Sequence, residues 1–402
     1  MDLLYTSPCC SIATANKLLK ETKTDPGYQI IKFSNLFLKG LVANGVSVNV
    51  IANVRTFPSR FWRKKDEDEN GIHFQYPAQT NIPILRHILL FLAAFLRTLK
   101  WGVAQHDEKI VLCDVLSVAT TAGCRTAARI LNIPVCALVT DMLGCSVTAP
   151  QNKNNFLSKS IINLRGPVQK RSISKYDGYV FLTKYMDEEY NTRHKPFIVM
   201  EGTVDANNIT ANNENKKIQP RIIMYAGAIE KQYGFDNLIQ AFMRTNIPDI
   251  ELHLYGKGKF IEQVITYTEK DTRIKYCGIV SNNEVVAAEQ RATLLVNPRF
   301  SNQDFVKYSF PSKTTEYMVS GTPLLTTRLA GIPDEYFQYC YTFESETVDG
   351  FAHKLTEVLS LSDAELQAKG TAAQEFVLKY KNNIIQGARL KSFFQNILSA
   401  HR

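Results

Sequence analysis

The sequence predicts an α/β protein of two Rossmann-like halves, each built on a parallel sheet. Three observations predict it. Short apolar runs alternate with segments of helical period, the pattern of repeated strand–helix–strand units. The alternation breaks at a polar stretch, Asn207 to Lys217, and then restarts. At 402 residues the chain exceeds one ordinary domain and suits two, each with its own core.

Composition bounds the function. Hydrophobic content of 45% with 21% charge is that of a soluble globular protein. Lys+Arg 47 against Asp+Glu 38 gives +9, which favours anionic partners such as nucleotide diphosphates or anionic lipid; no nucleic-acid partner is expected. The eight cysteines are scattered, only Cys9 and Cys10 are adjacent, and no Cys-x-x-Cys occurs. That spacing does not suit zinc, so free thiols in a reducing cytosol are expected. No basic region followed by an apolar run opens the chain, so no signal peptide is expected.

In order, Leu3–Thr6 reads as a buried strand, Ser7 to Gly27 as a polar loop, Ile30–Asn44 as a helix and Val46–Ala52 as a strand. No Gly-x-Gly-x-x-Gly fingerprint lies between them. Arg63–Asn70 is a charge run, expected to be a solvated loop. Ile82–Trp101 is a helical segment with Arg86, Arg97 and Lys100 in one arc and Ile84, Ile88, Phe91, Leu92, Phe95 and Leu99 opposite. Its apolar run is too short to span a bilayer. It is either a domain helix with its apolar face in the core or an interfacial helix resting on anionic lipid.

Ile110–Leu112 and Val135–Val139 read as strands separated by a helix over Val118–Leu131. Asp141 follows the second strand directly, where open α/β sheets bind ligands. It could orient an acceptor hydroxyl or take its proton; it could equally cap the next helix. Tyr179–Leu182 and Pro196–Met200 close the first half. The second restarts with strand Ile222–Tyr225, a turn at Gly227 and a helix over Gly234–Phe242. Leu252–Tyr255 ends at Gly256-Lys257-Gly258, and Ile274–Tyr276 leads to Ile279-Val280. Leu294–Val296 delivers Arg299.

Pro298 to Glu335 is the most informative stretch. Pro311-Ser312 starts a helix with Ser312 as N-cap, Gly321 stops it, and Pro323–Thr327 is the next strand. Lys313 and Glu316 project from one face near its N-terminus, where free amides and the dipole favour an anion. A cation there suits phosphate, and a carboxylate one turn on suits a sugar diol. The tail from Ala364 to Arg402 reads as helical throughout.

Phe-Pro-Ser-Lys-Thr-Thr-Glu-Tyr-Met-Val-Ser-Gly-Thr-Pro-Leu-Leu, followed by Ala-Gly-Ile-Pro-Asp-Glu, resembles the donor signature of family-four retaining glycosyltransferases of the GT-B fold. The bacterial members that build capsular, exopolysaccharide or O-antigen chains are the most similar. The resemblance implies two Rossmann-like domains facing a cleft, with a C-terminal helix crossing back to the first. It divides the chain into an acceptor domain, 1–203 with 380–402, and a donor domain, 204–379, Glu201–Asp205 being similar to the hinge segment. It implies transfer of a hexosyl group from a UDP-sugar to a glycan or lipid-linked acceptor, with no metal or other cofactor. The place of work is cytoplasmic, peripheral to the membrane's inner face.

By the same resemblance, Glu316 matches the second Glu of the Glu-x7-Glu pair and grips the donor ribose, while Tyr308 replaces the first. Ala228 and Tyr233 stand where relatives carry the Arg and Lys that hold the diphosphate. Arg299 and Lys313 are expected to substitute, acting with Asp141 in catalysis, and Lys257 is a third candidate cation. Ser312, Thr314, Gly227, Gly256, Ile279 and Val280 complete the expected donor site. Two rival readings are a nucleotide-sugar epimerase on the same fold and a non-catalytic partner subunit.

Overall fold

The computed structural model describes residues 1–104, 108–142, 173–207 and 219–401. They form two compact units, Met1–Thr203 with Asn383–Arg402, and Val204–Asn382.

The first unit carries β1 (Asp2–Ser7), β2 (Ser47–Ala52), β3 (Phe61–Trp62), β4 (Glu67–Glu69), β5 (Ile72–Gln75), β6 (Gln79–Thr80), β7 (Lys109–Asp114), β8 (Val135–Val139), β9 (Gly178–Phe181) and β10 (Phe197–Val199). Its helices are α1 (Ile12–Thr22), α2 (Tyr28–Ala43), α3 (Pro83–Val103), α4 (Val118–Ile130), α5 (Tyr185–Tyr190) and, from the chain's end, Asn383–His401. Eight strands form one sheet in the order β10-β9-β8-β7-β1-β2-β5-β4. All pairs are parallel except β4 with β5. Helices on both faces bury β1, β7 and β8 from either side, so these strands read as nearly continuous apolar runs. The strand order reverses at β1 beside β7, which puts the switch-point crevice at Ser7 and Asp114.

The second unit carries β11 (Arg221–Ala228), β12 (Ile250–Lys257), β13 (Ile274–Gly278), β14 (Leu294–Asn297), β15 (Leu324–Thr327) and β16 (Tyr341–Phe343), all parallel, in the order β13-β12-β11-β14-β15-β16. Its helices are α6 (Phe235–Arg244), α7 (Ile261–Lys270), α8 (Asn282–Arg291), α9 (Ser312–Val319), α10 (Val348–Leu359) and α11 (Asp363–Tyr380). Phe235, Leu238, Ile239 and Phe242 of α6 fill the core on one face. Tyr317 and Met318 of α9 fill it on the other. Here the order reverses between β11 and β14.

Four expectations change. The expected loop from Ser7 to Gly27 contains α1, which Ser11 caps by accepting from the Thr14 amide. The expected solvated loop at 63–70 contains the edge strand β4, whose carboxylates bond inward. Glu67 accepts from Ser11, Thr14, Tyr76 and Lys64, and Glu69 from the Ile12 and Ala13 amides. The tail, expected to be helical throughout, breaks at Lys381 and Asn382 into two helices. α11 ends at Lys381, whose Nζ lies 2.6 Å from Glu335 and whose carbonyl accepts from the Val204 amide. The last helix, α12 (Asn383–His401), then packs on α2. A Cβ on Gly40 would lie 1.8 Å from the Asn383 carbonyl oxygen, so only glycine permits this approach.

The fourth concerns α3. Its apolar face points out and its arginines point in. Arg86 donates to the Val54 carbonyl at 2.7 Å, and Arg97 pairs with Asp66 at 2.9 Å. Leu90, Ala94 and Thr98 make the buried side.

Candidate donor site

The second unit gathers the expected donor residues along the carboxyl edge of its sheet. β11 and β12 run in register there, Gly227 opposite Gly256 and Ala228 opposite Lys257. Gly256 has φ +128, and a Cβ on it would lie 1.9 Å from the Gly227 carbonyl oxygen. Glycine is therefore required, and the bare backbone leaves room at the strand ends. Lys257 is exposed just beyond. Ile279 and Val280 leave β13 at the same edge, two strands from β11, with Ile279 exposed.

α9 is fixed to this edge by one side chain. The buried Tyr317 hydroxyl accepts from the Ala226 amide at 2.8 Å and donates to the Ala226 carbonyl at 3.2 Å. The helix N-terminus is thereby set beside the end of β11, across the strand-order reversal. Ser312 is not the N-cap. Pro311 holds that position, no side chain caps the helix, and Ser312 is its first residue. Pro311 ends an extended approach and cannot itself donate, which leaves the first-turn amides without a side-chain acceptor. Thr314, in that turn, is buried and its Oγ1 has no hydrogen-bond partner among the described residues.

Lys313 and Glu316 lie together on the half-exposed side of α9, Nζ 2.7 Å from Oε2. Tyr308 is half-buried at the end of a 3-10 turn, with the Lys307 ammonium over its ring.

Arg299 leaves the end of β14 and is held by aromatic rings. Its guanidinium carbon lies 4.6 Å from the Tyr233 ring centroid and 4.8 Å from that of Phe305. No ion pair among the described residues involves it, and its Nε has no hydrogen-bond acceptor. Burial pulls its affinity for the proton down, against the neighbouring Tyr233 and Tyr225. A half-buried, unpaired guanidinium between two rings is a fixed cation with its donors uncommitted. Sequence reasoning missed Tyr233 and Phe305 as its holders. The only available signal was their aromatic character near two site segments.

Asp141 lies in the first unit, at the carboxyl end of β8. Its carboxyl is raised by burial, opposed by a 2.8 Å hydrogen bond from the Met142 amide. Whether it caps a helix falls on residues outside those described. Sequence reasoning also missed Asp114, at the end of β7 in the switch-point crevice. Asp114 accepts from the Ser7 hydroxyl at 2.8 Å and the Leu116 amide at 2.9 Å, and burial pushes it up to about 6. A carboxylate directly after an apolar strand was the available signal, as at Asp141. The α1 N-terminus nearby is closed to phosphate, since Glu69 and Ser11 already take its first three amides. Asp66-Glu67-Asp68 has an Asp-x-Asp spacing, yet Asp66 pairs with Arg97, Glu67 accepts from the Ser11 and Thr14 hydroxyls and Asp68 pairs with His73. Among the described residues no three His, Cys, Asp or Glu side chains converge as a metal-binding set.

Comparison with known proteins bears on the family and the fold. The family model described as "Glycosyl transferases group 1" matches residues 207–375. Among curated proteins none matches the chain. Solved structures match over nearly its whole length. Sucrose-phosphate synthase from Thermosynechococcus elongatus is 13% identical with a TM-score of 0.68, covering 99% of both chains. HepE from Anabaena, in complex with UDP, is 11% identical with a TM-score of 0.64, covering 98% of this chain and 100% of its own. The lipopolysaccharide outer core galactosyltransferase WaaB is 13% identical with a TM-score of 0.59, covering 98% and 99%. At such identities the structures establish the fold, two Rossmann-like domains of the GT-B type. Residues 207–375 match the group 1 glycosyl transferase model, and with the GT-B fold this supports the chain as a glycosyltransferase.

Proposed function

We propose that this glycosyltransferase moves a sugar from a UDP-sugar to a glycan or lipid-linked oligosaccharide in bacterial surface-polysaccharide synthesis, retaining the anomeric configuration. The reading rests on Arg299, unpaired and ring-held after β14, together with the uncapped start of α9, which follows the same strand. A diphosphate needs cations close by, because helix amides alone supply only about half a charge. Arg299 chelates phosphate oxygens with its planar fork, and Lys313 adds a point charge. Thr314 and the first-turn amides complete the cradle. Glu316 accepts from the ribose hydroxyls, Tyr308 lies at the sugar's side, and Ile279 and Val280 pack on the base.

The sugar–phosphate bond breaks with its electrons left on the diphosphate, where Arg299, Lys313 and the helix dipole hold the growing charge. The acceptor oxygen bonds to the anomeric carbon on the same face. Its proton passes to a departing phosphate oxygen, with Asp141 orienting the acceptor. UDP in the Anabaena relative supports uridine as the base, and the galactosyltransferase WaaB supports a surface-glycan acceptor. A lipid-linked acceptor implies work at the inner membrane face, with the protein peripheral.

Thermal shift against a panel of nucleotide sugars, followed by proton NMR of the product formed with an acceptor, tests the reading. UDP-dependent stabilisation and an unchanged anomeric coupling are expected. An inverted product overturns retention. Conversion of the nucleotide sugar without acceptor makes the protein an epimerase.

A further inference from the structure

The outward face of α3 is apolar along its length. Ile84, Ile88, Leu92 and Leu96 recur every fourth residue and are exposed, Ile84 by 77% and Leu96 by 61%, and Val103 continues them at 69%. At 1.5 Å per residue, Ile84 to Leu96 spans about 18 Å. Half-buried Leu85, Leu89, Phe95 and Leu99 fill the gaps between them. Phe61 adds to one end. It lies in β3, which pairs with the β6 strand leading into the helix, and it is 60% exposed while its neighbour Trp62 packs on Phe57 and Tyr76.

Basic side chains predominate around this face. Arg60, Arg63 and Lys65 are exposed on β3 and its flanks, and Lys100 is exposed at the far end of α3. The sequence has no Asp or Glu from Gly71 to His106 and none from Ile51 to Lys65. Asp66 and Glu67, at one end, are paired with Arg97 and Lys64, and Glu108 follows the far end of α3.

We infer that this face seats the first unit on a bilayer surface carrying anionic phospholipid headgroups. Exposed apolar area this continuous on a helix marks an interaction surface. Its rim selects the occupant. A second copy would bring the same basic rim against this one, whereas anionic headgroups complement it. The apolar stripe enters the boundary between headgroups and acyl chains, and Arg60, Arg63 and Lys100 stay among the headgroups. Among the described residues no helix is long and apolar enough to cross a membrane, so this contact lies on the surface. The inward turn of Arg86 and Arg97 frees the apolar face for it, because their bonds anchor α3 from behind.

Co-sedimentation of the full chain with vesicles of phosphatidylcholine alone, and of phosphatidylcholine with phosphatidylglycerol, tests this. The wild type should bind the anionic vesicles, more weakly as salt rises. Leu92→Gln with Leu96→Gln, and separately Arg60→Glu with Arg63→Glu, should each lower partitioning by at least about tenfold. All four sites are exposed, so thermal melting should be unchanged and transfer to a soluble acceptor retained. That readout separates failure of the membrane contact from failure of the transferase reading. Wild type that stays in the supernatant overturns the inference, as does binding that neither variant weakens. A wild-type dimer that Leu92→Gln with Leu96→Gln dissolves assigns the face to a second copy instead.

Discussion

Lys313 Nζ and Glu316 Oε2 lie 2.7 Å apart on the first turns of α9. The two side chains are about a quarter and a third exposed, so solvent screens the pair and it adds at most about 1 kcal/mol to stability. Its worth lies in the donor, which would take the cation on its phosphates and the carboxylate on its ribose. Glu316→Gln should therefore leave the melting temperature nearly unchanged while weakening UDP binding by about 1.5–3 kcal/mol, the value of a charge-assisted hydrogen bond. Calorimetry checks it. Unchanged affinity would remove Glu316 from the site.

Arg299 depends on Tyr233 for its position. Arg299→Ala should lower turnover more than it weakens UDP binding, because charge on the leaving diphosphate grows toward the transition state. Tyr233→Leu removes one face of the ring sandwich but keeps the cation. It should cost about 0.5–2 kcal/mol in kcat/KM, within the range of a cation–π contact, and less than Arg299→Ala. Equal losses in the two variants would mean that Tyr233 touches substrate itself rather than holding Arg299.

The Lys313–Glu316 pair on α9 was legible because its logic is local. A strand end, a Pro311 start, Lys313, Glu316 and a Gly321 stop all lie within one stretch of chain, and helical spacing alone puts the cation and carboxylate on one face. The Arg299 sandwich was not legible. Its rings come from a turn after β11 and another after β14, and only the fold brings them together. The α3 case is different again. Periodicity sorted its residues onto the correct two faces but carries no sign for which is inward, and Val54 and Asp66 decide that by binding its arginines. α1 was hidden because Ser11 caps it with partners on β4, more than fifty residues away.

Glu67 ties β4 to α1, and acid should loosen the tie. Burial pushes its carboxyl up, but hydrogen bonds from Lys64, Ser11, Thr14 and Tyr76 outweigh that and hold it at about 2. A carboxyl lowered on folding gives stability that is present above its ordinary value near 4.5 and lost as pH falls toward 2. Glu67→Gln should destabilise by about 1–3 kcal/mol at neutral pH, since four donors lose a charged acceptor. The difference from wild type should shrink between pH 4.5 and 2 in urea titrations. A constant gap across that window would mean that the Glu67 charge is not what holds α1.

Asp114 has the opposite sign, and the contrast isolates burial as its cause. It is fully enclosed at the end of β7, and burial pushes it from 3.8 to about 6 despite the Leu116 amide, the Ser7 hydroxyl and nearby Arg55. A carboxyl raised on folding contributes fully below its unfolded value and loses that contribution as pH rises through the folded one. Above about pH 6 the chain therefore carries a buried charge that two hydrogen bonds only partly offset. Asp114→Asn keeps the shape without the charge, and the Ser7 hydroxyl can turn to accept from the amide. The variant should gain on wild type by about 1–3 kcal/mol between pH 4 and pH 8, measured by urea unfolding at each pH. An advantage that stays flat or reverses with rising pH would mean the folded site favours the carboxylate. In that case Arg55, rather than burial, would govern the crevice between β1 and β7.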